Sequence, residues 1–179
     1  MEMATKTTTF EVDKSHTDVE FSVRHMGIST IRGRFTEFSG SLEMEGDKLV
    51  GAKAEIQADS IHTKEEKRDA HLRSADFFDI EKHPNIMFVA QRVQEQDEGR
   101  YRMTGQLTLH GVTKDLSLEV EASRPINDPY GAKRIGFSAE GLLDRRDFGL
   151  TWNTAIEAGG VMVGHEVKIH IEGEATAAG

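Results

Sequence analysis

Alternation of apolar and polar residues with a period of two is the feature that most constrains this chain. In segment 161–175 the apolar side chains fall on odd-numbered positions, and most of the positions between them are polar or charged. Segments 18–25, 100–110 and 115–122 repeat the pattern. Because successive side chains of a β-strand point to opposite faces, each segment predicts a strand with one buried face and one exposed face.

Further strands are indicated by less regular alternation in 31–44, 49–57 and 134–142, while 86–93 is apolar on both faces for part of its length. Short turn signals such as Glu45-Gly-Asp47 separate neighbouring runs, as in antiparallel hairpins. An open sheet of eight or nine long strands would leave its edges and its apolar face uncovered, and closure solves both problems. We therefore predict an all-β fold built as a closed antiparallel barrel.

One segment departs from the strand pattern. Thr63-Lys-Glu-Glu66 has the form of a capping box, with a hydroxyl at the helix N-cap and a carboxylate three residues later. It predicts a short capping α-helix over about 64–73, which has only two apolar side chains. Such a helix suits the end of a barrel better than its core. We expect it to cover the opening, with Phe77 and Phe78 turned into the mouth.

Charge and composition exclude several classes of function. The 179 residues carry a formal net charge of −9, and an acidic surface disfavours nucleic acid and anionic membrane surfaces as partners. No cysteine is present, so disulfides, thiol catalysis and thiolate metal sites are excluded. No apolar run approaches the roughly 20 residues of a membrane helix. The first ten residues lack the pattern of a signal peptide, so we expect a cytoplasmic location, or a periplasmic or extracytoplasmic one if a leader has been removed.

Whether the barrel is filled or hollow decides its function. Inward positions mix large residues such as Phe21 and Phe137 with small ones such as Ala54 and Gly141, a mixture that suits tight packing as well as a tunnel. Strands of about twelve residues, tilted by about 40°, give a barrel about 30 Å tall. One compact core needs no such height, whereas a long apolar ligand does, and this favours the tunnel.

Six motifs in order along the chain resemble those of the YceI-like family, the polyisoprenoid-binding proteins. They are VEFSVRH at 19–25, GRFTEFSG at 33–40, KRDAHL at 67–72, DFFD at 76–79 with HPNIMF at 83–88, GQLTLHG at 105–111, and RDFG at 146–149. The resemblance implies a single domain over 10–175, an extended eight-stranded antiparallel lipocalin-like barrel with a helical cap, between flexible ends at 1–9 and 176–179. It also implies a homodimer whose lumen holds a long isoprenoid chain, such as a polyprenyl diphosphate or an isoprenoid quinone.

We expect the lipid to contact side chains that point into the lumen or lie at its mouth. The predicted ligand-binding residues are Phe21, Val23, His25, Phe35, Leu42, Ile56, Arg68, Phe77, Phe78, Phe88, Leu107, Phe137, Phe148, Trp152, Val163 and His165. His25 and His165 lie on otherwise apolar faces, so each is either a hydrogen-bonded core histidine or a contact to the lipid headgroup. Arg68 is either part of a salt-bridged cap or a contact to a diphosphate at the mouth.

The turn Arg145-Arg-Asp147 permits the same two interpretations, an arginine–aspartate pair or a basic spot beside the opening. The eight histidines show no i, i+4 helical or i, i+2 strand spacing, so we expect no metal site and no cofactor other than the lipid. Motifs of a nucleophile elbow, a P-loop or a zinc protease are absent from the sequence, so we expect that the protein is not an enzyme. The alternatives are an enzyme acting on an amphiphilic lipid or fatty amide in the same cavity, and a solid-core barrel that serves in stress response or partner binding.

Overall fold

The computed structural model describes residues 6–154 and 162–178, and these form eleven strands and one α-helix. The strands are β1 Thr7–His25, β2 Ser29–Phe35, β3 Phe38–Glu45, β4 Lys48–Gln57, β5 Ile61–His62, β6 Asn85–Asp97, β7 Arg100–Leu109, β8 Val112–Ala122, β9 Ile126–Asn127, β10 Ala132–Asp144 and β11 Val163–Ala178. The helix α1 is Glu66–Arg73, and short 3₁₀ turns cover Ala58–Ser60 and Arg145–Phe148. Among the described residues, no helix has the length and apolar character needed to cross a membrane.

The sheet closes on itself, because β1 pairs with β11 as well as with its neighbours in the chain. In the described residues β2 and β3 together occupy one strand position, with β2 beside the second half of β1 and β3 beside the first half. The ring then continues through β4, β6, β7, β8, β10 and β11, which makes eight antiparallel positions. The predicted eight-stranded antiparallel barrel is confirmed.

The alternation that predicted the strands also sets which side chains face inward. In β8, Leu116, Leu118 and Val120 are buried while Ser117 and Glu119 between them are exposed. Segment 31–44, predicted as one run, is interrupted at Thr36-Glu37, opposite the register shift between Asp13 and Asp18 in β1. The interruption changes the phase of the alternation, since the buried residues include the odd-numbered Gly33 and Phe35 in β2 and the even-numbered Leu42 and Met44 in β3.

The two ends of the barrel differ. At the end where the chain begins, Phe10, Met44 and Tyr101 are almost fully buried and pack together in the hydrophobic core. The hydroxyl of Tyr101 accepts a hydrogen bond of 3.2 Å from the N–H of Leu49, so its polar atom is satisfied in this packed region. At the opposite end lie α1 and the loop that follows it.

The helix begins two residues later than predicted, and Thr63 is not its N-cap. Glu65 is the cap, and its carboxylate accepts from the N–H groups of Lys67 at 3.2 Å and Arg68 at 2.6 Å. The predicted cap is wrong because Lys64 adopts a positive φ of 67°, which breaks the turn, and because the Thr63 hydroxyl instead donates to the carboxylate of buried Asp69.

The strands also extend past the predicted limits of the domain, which were residues 10 and 175. Thr7 pairs with Glu45, and Ala178 pairs with Ala132, so residues 7–9 and 176–178 belong to the sheet. These terminal residues are small or hydroxylated and give almost no hydrophobic signal. Backbone hydrogen bonds to a neighbouring strand do not require such a signal.

Candidate ligand-binding cavity

Two apolar cavities lie inside the barrel. The larger, about 190 Å³, lies beneath α1 and the loop after it, and the smaller, about 90 Å³, lies deeper toward the packed end. Leu72, Phe77 and Phe78 form the roof of the larger cavity, and Phe137 and Ala139 help to line the smaller one. The lumen is therefore hollow under the cap and filled at its far end, rather than a tunnel of constant width.

The two cavities adjoin at a narrow waist. Six residues line both of them, namely Val19, Ala54, Ile56, Phe88, Leu118 and Ile171. All six are apolar, so no polar barrier separates the two spaces. A hydrocarbon chain that passed from the larger cavity to the smaller one would meet these apolar side chains at the waist.

Glycines on neighbouring strands make room for two large rings against the barrel wall. A methyl group added at Gly105 would lie 2.6 Å from Cζ and 2.8 Å from Cε2 of Phe88. A methyl group at Gly33 would lie 2.7 Å from Cε1 of Phe21 and even closer to its Cζ. Both rings occupy the space that a side chain would take, and they therefore leave the middle of the lumen less filled.

Aromatic side chains connect the wall to the cap. The ring of Phe35 lies 5.6 Å from that of Phe21 and 6.0 Å, edge-on, from that of Phe78. On the outer side, Phe77 is only 7% exposed and its ring lies 5.3 Å from that of Trp152. The predicted position of Phe77 and Phe78 at the mouth agrees with this arrangement.

Hydrogen bonds from buried groups hold the cap on the barrel. The carboxylate of Asp69, which is 4% exposed, accepts from the hydroxyl and from the N–H of Thr63, the latter at 2.9 Å. Burial alone would raise the pKa of Asp69, but the hydrogen bonds from Thr63 and the nearby His62 outweigh it and the pKa is lowered. Arg73 donates to the carbonyl of Ile61 at 3.0 Å, which ties the other end of α1 to the same segment.

Most of the predicted ligand-binding residues line the cavities. Eleven of the sixteen do so: Phe21, Val23, Phe35, Leu42, Ile56, Phe77, Phe78, Phe88, Leu107, Phe137 and Val163. Their position is consistent with the expectation, and contact with a ligand stays a prediction.

The other five predicted residues lie elsewhere. Arg68 donates to the hydroxyl and the carbonyl of Thr63, so it braces the cap, and Phe148 is packed in the core. Trp152 contacts the rings of Phe77 and His71 on the outer side of the roof. His25 and His165 are not in the cavity lining.

His25 and His165 lie at a register shift in the pairing of β1 with β11. Val23 pairs with Val167 across β1 and β11, and regular continuation would place His25 opposite His165. The pairing shifts instead, and His25 lies opposite Val163. His25 and His165 therefore do not form the cross-strand pair that regular continuation would give, and neither histidine lines the cavities.

Arg145, for which the sequence predicted an arginine–aspartate pair or a basic spot beside the opening, lines the larger cavity as a buried residue. It is 3% exposed and donates to the carbonyls of Gly164 at 2.8 Å, Leu150 at 2.7 Å, Trp152 at 3.0 Å and Val163 at 3.2 Å. Burial lowers the pKa of this guanidinium.

The arginine–aspartate pair at this turn joins Arg146 to Asp144, at 2.6 Å, rather than to the predicted Asp147, and it is the neighbouring Arg145 that is buried. The alternation of strand residues gives no signal for the burial of Arg145, because Arg145 lies in a 3₁₀ turn.

Comparison with known proteins identifies the family. The model of the YceI-like domain matches residues 10–175. The chain belongs to the YceI-like family. A UPF0312 protein of Staphylococcus epidermidis is 34% identical to this YceI-like chain over 170 residues, which cover 93% of this chain and 96% of that protein.

Solved structures of similar fold extend the comparison. The YCEI protein of Campylobacter jejuni superposes on this YceI-like chain with a TM-score of 0.76 at 30% identity, over the full length of both. A polyisoprenoid binding domain from Saccharophagus degradans, implicated in plant cell wall breakdown, gives a TM-score of 0.70 at 14% identity and covers 96% of this chain and 99% of that domain. At that identity the likeness concerns the fold.

Proposed function

We propose that this protein binds a long-chain isoprenoid lipid, of the polyprenyl diphosphate or isoprenoid quinone type, in the lumen of its barrel, for transport, storage or presentation. The observation that carries the proposal is the pair of adjoining apolar cavities under a cap. The likeness to a polyisoprenoid binding domain of the same fold supports it.

The size of the cavities indicates that binding is accompanied by widening. Ligand pockets commonly measure about 300–1,000 Å³, and the larger cavity here is about 190 Å³. The residues that have to move are those of the roof, such as Phe78, and those of the waist, such as Phe88 and Ile56. These side chains are apolar and make no hydrogen bonds, so their displacement breaks none.

The packed end of the barrel sets the direction of the lipid. Phe10, Met44 and Tyr101 leave no cavity at that end in the described part of the chain. The tail then points toward these residues, and the polar headgroup lies at the capped end. A chain of 40 carbons extends to about 40 Å, against a barrel of about 30 Å, so the headgroup end bends or protrudes.

The proposal includes no covalent chemistry. Glu20 and Arg145 are the charged residues among the described lining of the larger cavity, and Arg145 uses four of its five N–H groups on backbone carbonyls. An enzyme acting on a tail-bearing substrate would need several polar groups directed at one point of the lumen. Release of product from a fatty amide or ester incubated with the protein would support that alternative.

Native mass spectrometry of protein purified without detergent tests the binding proposal. We expect a mass above that of the polypeptide by one lipid, or saturable uptake of one added polyprenyl diphosphate per barrel. A bare polypeptide mass together with no uptake of added lipid contradicts the proposal.

A homodimer remains part of the proposal. Met87 and Val89 on β6 are 43% and 50% exposed, which places two apolar side chains on the outside of the barrel, in the segment that is apolar on both faces. Light scattering on the purified protein measures the assembly directly.

A further inference from the structure

Three side chains with metal-binding atoms converge at the capped end of the barrel. One ligand atom from each of Asp79, His83 and His110 lies within 4.8 Å of the others, and all three residues are half-buried. Asp79 and His83 belong to the loop between α1 and β6, whereas His110 lies in the turn between β7 and β8. None of them lines the cavities, so this cluster is separate from the proposed lipid site.

The backbone of the loop aligns the first two of these side chains. The N–H of His83 donates to the carbonyl of Asp79 at 2.9 Å, which closes a single helical turn. Residues four apart on such a turn lie on the same side. The loop therefore presents a carboxylate and an imidazole together toward the β7–β8 hairpin.

The hairpin turn is shaped to admit the third residue. His110 has a φ of 55° and Gly111 a φ of 73°, the pair of positive angles for which hairpins of this length prefer Asn-Gly. A histidine in the first position is less favourable there than asparagine. Gly111 is also required for space, because a methyl group on it would lie 2.7 Å from Cε1 of His83.

The hydrogen bonds of the cluster leave its ligand atoms available. Nδ1 of His110 lies 3.0 Å from the carbonyl oxygen of Phe148, so Nδ1 carries the proton and donates to it, and Nε2 keeps a free lone pair. Such a bond on the far nitrogen is the usual support of a metal-bound histidine. Within residues 6–154 and 162–178, no side-chain hydrogen bond engages the His83 ring or the Asp79 carboxylate.

We propose that Asp79, His83 and His110 bind a divalent transition metal ion of the zinc type. Two neutral imidazoles and one carboxylate are a common ligand set for such ions, with metal–ligand bonds of about 2.0–2.2 Å. Ligand atoms within 4.8 Å of one another are close enough for one ion to lie between them. The sequence prediction of no metal site considered only histidines close in the chain, and it missed a cluster assembled by the fold from distant residues and a carboxylate.

A second cluster of similar composition shows what distinguishes the first. Asp13, His16 and Glu174 also bring their ligand atoms within 4.8 Å. There, however, Arg134 lies 3.1 Å from Asp13 and 3.5 Å from Glu174, so its guanidinium is already paired with both carboxylates. An added cation would meet that positive charge, and the His16 cluster serves as the matched control.

A metal ion at the first cluster would join the roof of the lumen to the wall. Asp79 directly follows Phe77 and Phe78, and His110 directly follows the strand that carries Leu107. The ion would hold this loop against the hairpin. This inference goes beyond lipid binding and stands or falls independently of it.

Titration of zinc into the full chain, free of any affinity tag, tests the proposal. We expect one zinc ion per chain by isothermal calorimetry, and a rise in the unfolding temperature of the protein on addition of zinc. His83→Gln should weaken zinc binding by more than about 10-fold, the lower bound seen when even an outer partner of a metal ligand is removed. His16→Gln should bind zinc like the parent protein.

Asp79→Asn is a second variant that keeps the fold, because asparagine accepts the positive φ of 48° at this position. It should also weaken zinc binding while circular dichroism shows an unchanged barrel. The proposal is overturned if the parent protein binds no zinc, or if His83→Gln and Asp79→Asn bind zinc as tightly as the His16→Gln control.

Discussion

Phe21 and Phe88 each lie against a glycine of the next strand, and this contact controls how much of the lumen stays open. At Gly33 the neighbouring atoms are the ring of Phe21 and Cγ2 of Thr63, all of them side-chain atoms. At Gly105 a backbone carbonyl is close as well. Gly33 is thus the position where a single methyl group moves a ring without forcing the backbone.

Gly33→Ala should push the ring of Phe21 into the larger cavity and weaken lipid binding. A ring that takes the space of about two methylene groups corresponds to a roughly 10-fold loss of affinity at ~0.8 kcal/mol each. Gly136→Ala is the control, because its nearest atom would be Oγ of Ser123 at 3.9 Å. Equal lipid affinity in the two variants, measured by titration with a polyprenyl diphosphate, would contradict this role of Gly33.

At the level of single residues, most of the side chains predicted to bind the ligand do line the cavities, and the exceptions are instructive. Phe35 and Leu107 follow directly from the period of two, since inward positions of a strand are fixed once its phase is known. His25 and His165 lie at a register shift between β1 and β11, which the pattern does not reveal. Arg145 lies in a turn, where burial depends on carbonyls contributed by distant residues.

The cap helix α1 is held at its start by one buried carboxylate. Asp69 accepts both the hydroxyl and the N–H of Thr63 and lies 3.4 Å from Nδ1 of His62. Without this acceptor, the two donors of Thr63 would be left buried and unsatisfied. The helix itself has few apolar contacts, so its attachment depends largely on these bonds.

Asp69→Asn should reduce the free energy of unfolding by about 1–3 kcal/mol at neutral pH, the cost of weakening a buried charged hydrogen bond. The pKa of Asp69 is lowered from its ordinary 3.8. The charged carboxylate therefore stabilises the fold above about pH 4, and this contribution is lost as the pH falls through the folded-state pKa.

Chemical denaturation of both proteins at several pH values measures the effect. The difference between the parent protein and Asp69→Asn should be largest near neutral pH and should shrink below pH 3.8, the ordinary pKa of the group. Asp76→Asn is the control on the same cap, because Asp76 is exposed and its pair with His71 contributes only about 0–1 kcal/mol. A pH-independent difference would show that the charge of Asp69 is not the cause.

The helix illustrates how far local sequence reasoning reaches at the scale of an element. A helix before the Phe77-Phe78 pair was predicted and is present, since a cap motif and helix-forming residues suffice for existence and type. Its start was predicted two residues early, because Thr63 is equally suited to cap a helix and to bond a buried carboxylate. Only the position of Asp69 in the fold decides between these two uses.

The whole barrel is asymmetric, with a packed end and a capped end. Closure through β1 and β11 was predictable from strand number and the need to cover edges. The distribution of empty space was not predictable, because the mixture of large and small inward residues suits filling as well as hollowing. Phe10, Met44 and Tyr101 fill one end, whereas glycines leave room near the other.

The affinity for a series of prenyl diphosphates should rise with chain length and then level off. Each methylene that enters the lumen contributes up to about 0.8 kcal/mol, and the gain stops when the tail reaches the packed end. Ala139→Leu, which enlarges a side chain in the smaller cavity, should move the plateau to shorter chains, at a cost in stability of about 1–3 kcal/mol. Competition binding across the series measures the chain length at which the affinity levels off. An affinity that does not depend on chain length would contradict the prediction.

The packed end, formed by Phe10, Met44 and Tyr101, has one further consequence if the protein moves a lipid between membranes. A lipid would then enter and leave the barrel by the capped end, so the tail, which enters first, would leave last. The protein would then have to turn the same face toward donor and acceptor bilayers, and its cargo would be handed over head foremost on every trip.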